Sequence, residues 1–361
     1  MSRQSGLPPL RRLILPGLFV AALFVVIIFR QPPGSASYRE WIATGPTMGT
    51  TFTVKVVGAQ DDETTSHRVA EQVREVVDKV DSAMSTYRTD SEIAIFNRHD
   101  TESFEASPEM AVVVAEAQRV ARLSNGAFDI TVGPLVDLWG FGPSGITEPP
   151  SQQKLAELVA ITGYEQITVD QANGRLRKAD PACRIDLSAI AKGFAVDEVA
   201  AALERHGFSA YMVEIGGEVR TRGRKATGDE WRIGIERPDA DGRTVHTAIP
   251  LTNLALATSG DYRNFVVRDG VRISHTIDPR NGRPIAHDLA SVSVVHSSCM
   301  TADALATALE VLGPEEGFAF AERQKIPALF LVRTGEMVFE EHRTQIWTAL
   351  IENEPLGAPV E

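Results

Sequence analysis

Asn173-Gly174 and Asp269-Gly270 each stand between two β-rich runs. A two-residue loop that folds a strand back along its neighbour needs positive φ at both central positions, and Asn-Gly and Asp-Gly supply it at least cost. Such hairpins require antiparallel strands, which argues against a doubly wound parallel sheet. Thr334-Gly335 lies between two further β-rich runs, and Thr50 to Gly58, Tyr211 to Arg220, Trp231 to Arg237, Thr247 to Thr258 and Leu289 to His296 also read as strands. Apolar residues recur at helical spacing over Thr64 to Ala83 and over Pro108 to Leu123, the second opening on its proline. Two more helices, Ala189 to His206 and Thr301 to Leu312, are closed by Gly207 and Gly313. The mixed order predicts an α+β fold of largely antiparallel sheets with packed helices. Gly216-Gly217 follows an apolar strand but lacks the third glycine and the helix of a dinucleotide-binding turn. Gly142 to Pro150 reads as a surface loop.

Leu13 to Phe29 is uncharged and almost wholly apolar, with Arg3, Arg11 and Arg12 before it and no acidic residue until Glu40. At 1.5 Å per residue such a helix spans about 26 Å, enough for a bilayer core with little tilt. The arginines orient the start toward the cytoplasm and the bulk of the chain outside. Two outcomes compete. Ser35-Ala36-Ser37 has the small residues of a signal-peptidase site that would release a chain beginning at Tyr38, whereas Arg30 and Pro32-Pro33 look like the outer flank of a retained anchor. We expect the anchor: residues 1–30 in the inner membrane, a linker over 31–45, a periplasmic domain over 46–353 and a loose tail over 354–361. A net charge of −12 repels a phosphate backbone, so no nucleic-acid partner is expected. The only cysteines, Cys183 and Cys299, match no zinc spacing and read as buried free thiols.

Asp303 and Thr307 stand four apart in an alanine-rich helical run, so their oxygens share one face and can converge on a hard cation. The plainer reading is an acid at a helix start beside an outward threonine. His275 precedes Asp278-Pro279, where the proline holds Asp278 extended, and is either a base on a rigid loop or a structural histidine. Asp186 and Lys192 flank the start of a helix, a natural seat for a phosphate or an N-terminal acid with a snorkelling lysine. Glu218, after Gly216-Gly217, can line a pocket, and Asp261 and Arg263 can belong to a site or to a turn.

Six segments, Pro46 to Thr50, Ser85 to Glu92, Gly126 to Thr131, Ile185 to Gly193, Ser274 to Pro279 and Thr301 to Thr307, resemble in the same order those of the ApbE-like flavin transferases, the FAD:protein FMN transferases. The likeness runs from about Pro46 to Gly313. It implies the ApbE-like fold and Mg²⁺ bound by Asp303, Thr307 and the backbone carbonyl of Ala189. Ala306 would add at most a carbonyl where some relatives carry a carboxylate. The resemblance also implies FAD as substrate, contacted by Met48, Tyr87, Ala127, Phe128, Asp129, Asp186, Lys192 and Ile277, with His275 needed for activity. The implied reaction moves FMN from FAD to a threonine or serine hydroxyl of an acceptor protein and releases AMP. Acceptors implied for the family are redox-pump subunits and flavin-bearing reductase domains. An FAD pyrophosphatase, with water as acceptor, and a non-catalytic flavin-binding protein are the alternatives.

Residues 1–30 are expected to keep the full chain with membranes, and a chain beginning near Ser37 to be soluble and active. Fractionation of the native host followed by N-terminal sequencing checks this, and a mature chain starting at Tyr38 would overturn the anchor.

Overall fold

The computed structural model describes residues 38–59, 64–100, 103–143, 148–239, 244–262, 265–268, 271–335 and 337–351. The expected anchor and tail lie outside them, as do Arg263 and the Asp269-Gly270 dipeptide. Among the described residues no helix is long and apolar enough to cross a membrane.

An eight-stranded antiparallel sheet carries the fold, and its strands sit side by side in chain order. They are β1 (Tyr38–Thr47), β2 (Thr50–Ala59), β3 (Tyr211–Ile215), β4 (Glu218–Arg222), β5 (Ala255–Gly260), β6 (Leu289–His296), β7 (Ala328–Gly335) and β8 (Val338–Arg343). Two tight turns join the first four in pairs. Met48-Gly49 has φ of 46° and 70°, Gly216-Gly217 has 61° and 108°, and positive φ at both positions is what a two-residue hairpin requires. The single strand expected over Tyr211 to Arg220 is therefore a hairpin, with Ile215 opposite Glu218.

Two other expectations change. The segment read as a linker is from Tyr38 onward the edge strand β1, paired with β2 along its length. Trp41 and Ala43 point into the core, and the Arg39 guanidinium covers the Trp41 ring at 4.4 Å. The run Thr247 to Thr258 is two strands: Val245–Pro250 pairs with Arg232–Glu236, Asn253 turns the chain at φ 58°, and only then does β5 enter the main sheet. A hairpin does turn at Asn173-Gly174, between Ile167–Asp170 and Arg175–Lys178, but through a four-residue loop over 171–174 in which Gly174 and not Asn173 has positive φ. Strands Phe265–Arg268 and Val271–Ser274 pair across the undescribed Asp269-Gly270.

Four long helices, α1 (Thr65–Met84), α2 (Pro108–Leu123), α3 (Ser188–Arg205) and α4 (Cys299–Gln324), cover one face of the sheet. The stripe Val69, Val73, Val77 and Val80 is buried on α1, as its helical spacing demands. Helix α3 packs on both α1 and α4, and its Ile190, Ala191, Phe194, Ala195 and Val196 are all buried. At Gly193 a Cβ would lie 2.4 Å from the Cys299 carbonyl oxygen, so only glycine admits α4 at this spacing. Helix α4 breaks at Gly313 (φ 79°), before Pro314, where the sequence places its end; a second helical stretch then continues to Gln324. The other sheet face is covered by the Arg232–Glu236/Val245–Pro250 hairpin and α5 (Gln345–Ile351), which meet Val219, Leu256, Val295, Leu329 and Leu331. Covered on both sides, β6 is buried at every position from Leu289 to Val295. The α+β expectation thus agrees with the observed architecture.

Gly193→Ala is expected to cost about 1–3 kcal/mol by overpacking the α3–α4 contact, outweighing the roughly 1 kcal/mol that alanine gains over glycine in a helix. Urea unfolding checks the sign, and a stabilised variant would mean that the helices part freely.

Candidate functional site

A cleft of about 1280 Å³ opens where the β1–β2 tip, the start of α3, the middle of α4 and the His275 loop converge. Met48 and Tyr87 stand at its walls, with Met48 held at positive φ in the hairpin tip and Tyr87 73% exposed. Ala127, Phe128 and Asp129 line it from the loop after α2, all buried. Asp129 Oδ1 accepts from the Thr131 backbone N–H (2.8 Å) and hydroxyl (2.7 Å). Burial pushes this carboxyl up to about 6 even so.

Asp186 donates its backbone N–H to the Ile130 carbonyl, which ties two of the segments together, and its Oδ1 accepts from Ser188 N–H at 2.8 Å. It thereby satisfies the N–H of the first residue of α3 from just outside the helix, and Ala189 and Lys192 follow along the cleft. Lys192 Nζ lies 2.7 Å from Glu218 Oε1. Burial would lower this lysine, but the Glu218 and Asp303 carboxylates outweigh it and hold the ammonium above its ordinary value. Burial in turn raises Glu218, against the pull of Lys192. Asp303 is buried and raised for the same reason; its Oδ2 accepts the Gly193 backbone N–H at 3.0 Å. One turn on, the Thr307 hydroxyl meets that of Ser259 at 3.2 Å.

His275 lines the far side, edge-on to Phe141 with ring centroids 6.2 Å apart. The loop behind it is organised by Asp278, whose carboxylate accepts from the Arg280 backbone and guanidinium and from the Asn281 amide. The neighbouring Ile277 packs with Leu135, Leu138 and Leu155, and Trp139 Nε1 donates to Gly282 O at 2.8 Å. The six segments therefore supply one cleft, lined by Met48, Tyr87, Asp129, His275, Asp303 and Thr307 among others; Ala306 and Asp278 do not line it.

Among the described residues no three His, Cys, Asp or Glu side chains gather where they could share a metal. A cation here would be held by one carboxylate and neutral oxygens. Sequence reading missed Ser259 and Glu310. Glu310 is wholly buried at the cleft, on α4 beyond Thr307; neither of its carboxyl oxygens has a hydrogen-bond partner, and burial drives it well above the ordinary carboxylate range. Its signal was an acid inside the apolar run Ala308 to Leu312. Asp261, left open between site and turn, lines no part of the cleft and instead pairs with Arg333 and Arg272. Cys183 and Cys299 are both buried free thiols.

The ApbE family matches residues 48–330. A protein named FAD:protein FMN transferase from Vibrio cholerae serotype O1 is 47% identical over 298 residues, covering 81% of this chain and 87% of that relative. The protein of the same name from Escherichia coli K12 is 36% identical over 325 residues, covering 88% and 92%. Among solved structures, the flavin transferase ApbE from Vibrio cholerae aligns with a TM-score of 0.78 at 44% identity, over 86% of this chain and 99% of that one. The apo form of the Pseudomonas stutzeri flavinyl transferase ApbE gives 0.80 at 40%, over 91% and 100%. With six motifs in order, a shared fold and identity of this extent, the chain belongs to the ApbE family.

Proposed function

We propose that this chain transfers the FMN part of FAD to a threonine or serine hydroxyl of an acceptor protein, with Mg²⁺ as cofactor and AMP as the product released. The observation that carries the reading is the face of α4 that presents Asp303 and Thr307 beside Lys192, in a cleft deep enough for a dinucleotide. The names borne by the Vibrio and Escherichia relatives support the same reaction.

The donor set suits the cation. Asp303 offers a carboxylate, Thr307 a hydroxyl and Ala189 a carbonyl, all hard oxygens of the kind Mg²⁺ prefers, and no thiolate or imidazole competes among them. The Gly193 N–H, which helical geometry directs at the Ala189 carbonyl, also serves Asp303, so that carbonyl retains capacity for a further partner. When bound, Mg²⁺ would neutralise charge that builds on the diphosphate. Lys192 brings a second positive charge, and the first backbone N–H groups of α3 face an anion favourably. Phe128 and Met48 offer flat and polarisable surface to a ring system. His275 would accept the proton of the acceptor hydroxyl while its oxygen bonds to the flavin-side phosphorus and the bridging oxygen leaves with AMP. The apolar segment Leu13 to Phe29 and the arginines before it support a site of action in the periplasm, held at the inner membrane.

Incubation with FAD, Mg²⁺ and candidate acceptors, followed by denaturing gels, tests the function through covalently fluorescent acceptor bands. Free FMN and AMP with no labelled protein would instead identify water as the acceptor. Asp303→Asn keeps an oxygen for the Gly193 N–H but removes the charge, so it should fold like the wild type and lose transfer at low Mg²⁺, with partial recovery at high Mg²⁺. Wild-type turnover over a Mg²⁺ titration would leave Asp303 a purely structural residue.

His275→Ala is expected to slow transfer on the order of 10²–10⁴-fold, the usual contribution of a general base, while FAD affinity changes little. A variant that binds FAD weakly and recovers full rate at saturating FAD would make the histidine a ligand contact.

A further inference from the structure

Asp197 lies on α3 one turn beyond Gly193, outside every motif that the sequence singled out. Its carboxylate accepts from the first two backbone N–H groups of α4, those of Cys299 at 3.0 Å and Met300 at 3.1 Å, and from the Ser298 hydroxyl at 2.8 Å. Arg220 on β4 closes the other side as an ion pair. Ser298 is itself the N-cap of α4, accepting from Thr301 N–H at 3.2 Å.

These contacts mirror the one already described. At Gly193 a backbone N–H of α3 serves a carboxylate of α4; at Asp197 a carboxylate of α3 serves backbone N–H groups of α4. Residues 193 and 197 are one turn apart on α3, and 303 and 299 are one turn apart on α4, so the two contacts run in opposite directions along the pair. A single hydrogen bond pins two helices at one point and opposes rotation about that point only weakly. Two contacts a turn apart also oppose that rotation.

We infer that this reciprocal clasp makes Asp197 a positioning residue for the metal-binding face of α4, setting the axial and rotational place of Asp303 and Thr307 opposite Ala189. The inference rests on the proposed role of that face in holding a divalent cation. Asp197 itself touches neither the cation nor the substrate. Its hold on α4 is strong because a carboxylate on free N–H groups at a helix start combines charge-assisted hydrogen bonds with the favourable end of the helix dipole. Arg220 balances the charge of this half-buried acid.

The test uses Mn²⁺ as the probe, its binding followed by electron paramagnetic resonance on the full protein without FAD, below the melting transition. Asp197→Ala should weaken Mn²⁺ binding about 10-fold or more, the usual effect of losing a group that orients metal ligands, and raise by a similar factor the Mg²⁺ concentration for half-maximal transfer. Asp197→Asn keeps one acceptor for the α4 N–H groups and should recover most of that loss; it also serves should the alanine variant not fold. A lowered melting temperature with Mn²⁺ affinity unchanged in both variants would overturn the inference and leave Asp197 a stability residue. A wild-type protein that binds no Mn²⁺ would instead defeat the reading of the site on which the inference depends.

Discussion

Between α3 and α4, at Gly193, there is room for a hydrogen atom and nothing larger. A Cβ there would sit 2.8 Å from the Asp303 Cβ as well as on the Cys299 carbonyl. This closeness lets a backbone N–H reach the Asp303 carboxylate, and a buried carboxylate needs that donor because few others can reach it. Much else follows from the spacing. Helix α1 packs against α3, and the cleft runs past Asp303, Thr307 and Glu310 of α4.

What the sequence discloses and what it hides divide along the range of the interactions. The Asn173-Gly174 turn is legible because its chemistry is local. Gly216-Gly217 carries the same kind of signal, yet the apolar run before it invites comparison with a nucleotide-binding turn and distracts from the hairpin. The strand over Tyr38–Thr47 is obscured by the Pro- and Ser-rich residues before it, although Trp41 and Ala43 already alternate inward. The uniformly β-forming stretch from Thr247 to Thr258 hides a break that only the left-handed Asn253 makes visible. For the site, the four-residue spacing of Asp303 and Thr307 can be read directly, and resemblance supplies the rest of the cleft. The hydrogen bonds that hold those residues join positions 110 and 103 apart in the chain, and no periodicity reports such pairs.

A chain of net charge −12 is an unexpected host for an anionic dinucleotide. The cleft resolves part of the difficulty by burial. Asp129, Glu218, Asp303 and Glu310 are all raised by desolvation, so the acids around the cleft hold their protons more tightly than exposed ones. Lys192 is raised as well, although burial alone would lower it, because the Glu218 and Asp303 carboxylates face it. Lys192 supplies a fixed positive charge at the floor, and a bound cation would add to it.

The main sheet adds its strands in the order in which they occur along the chain, while the cleft draws on residues from Met48 to Val311. A polypeptide that emerges from its N-terminus can close the β1–β2 hairpin early. It has no floor to its cleft until α4 arrives, long after Met48 and Phe128 are in place. Ligand capture is consequently a late event in the life of each molecule, reserved for chains that are nearly finished. From then on occupancy draws the folding equilibrium toward the completed state, because the ligand binds the native chain and not its fragments.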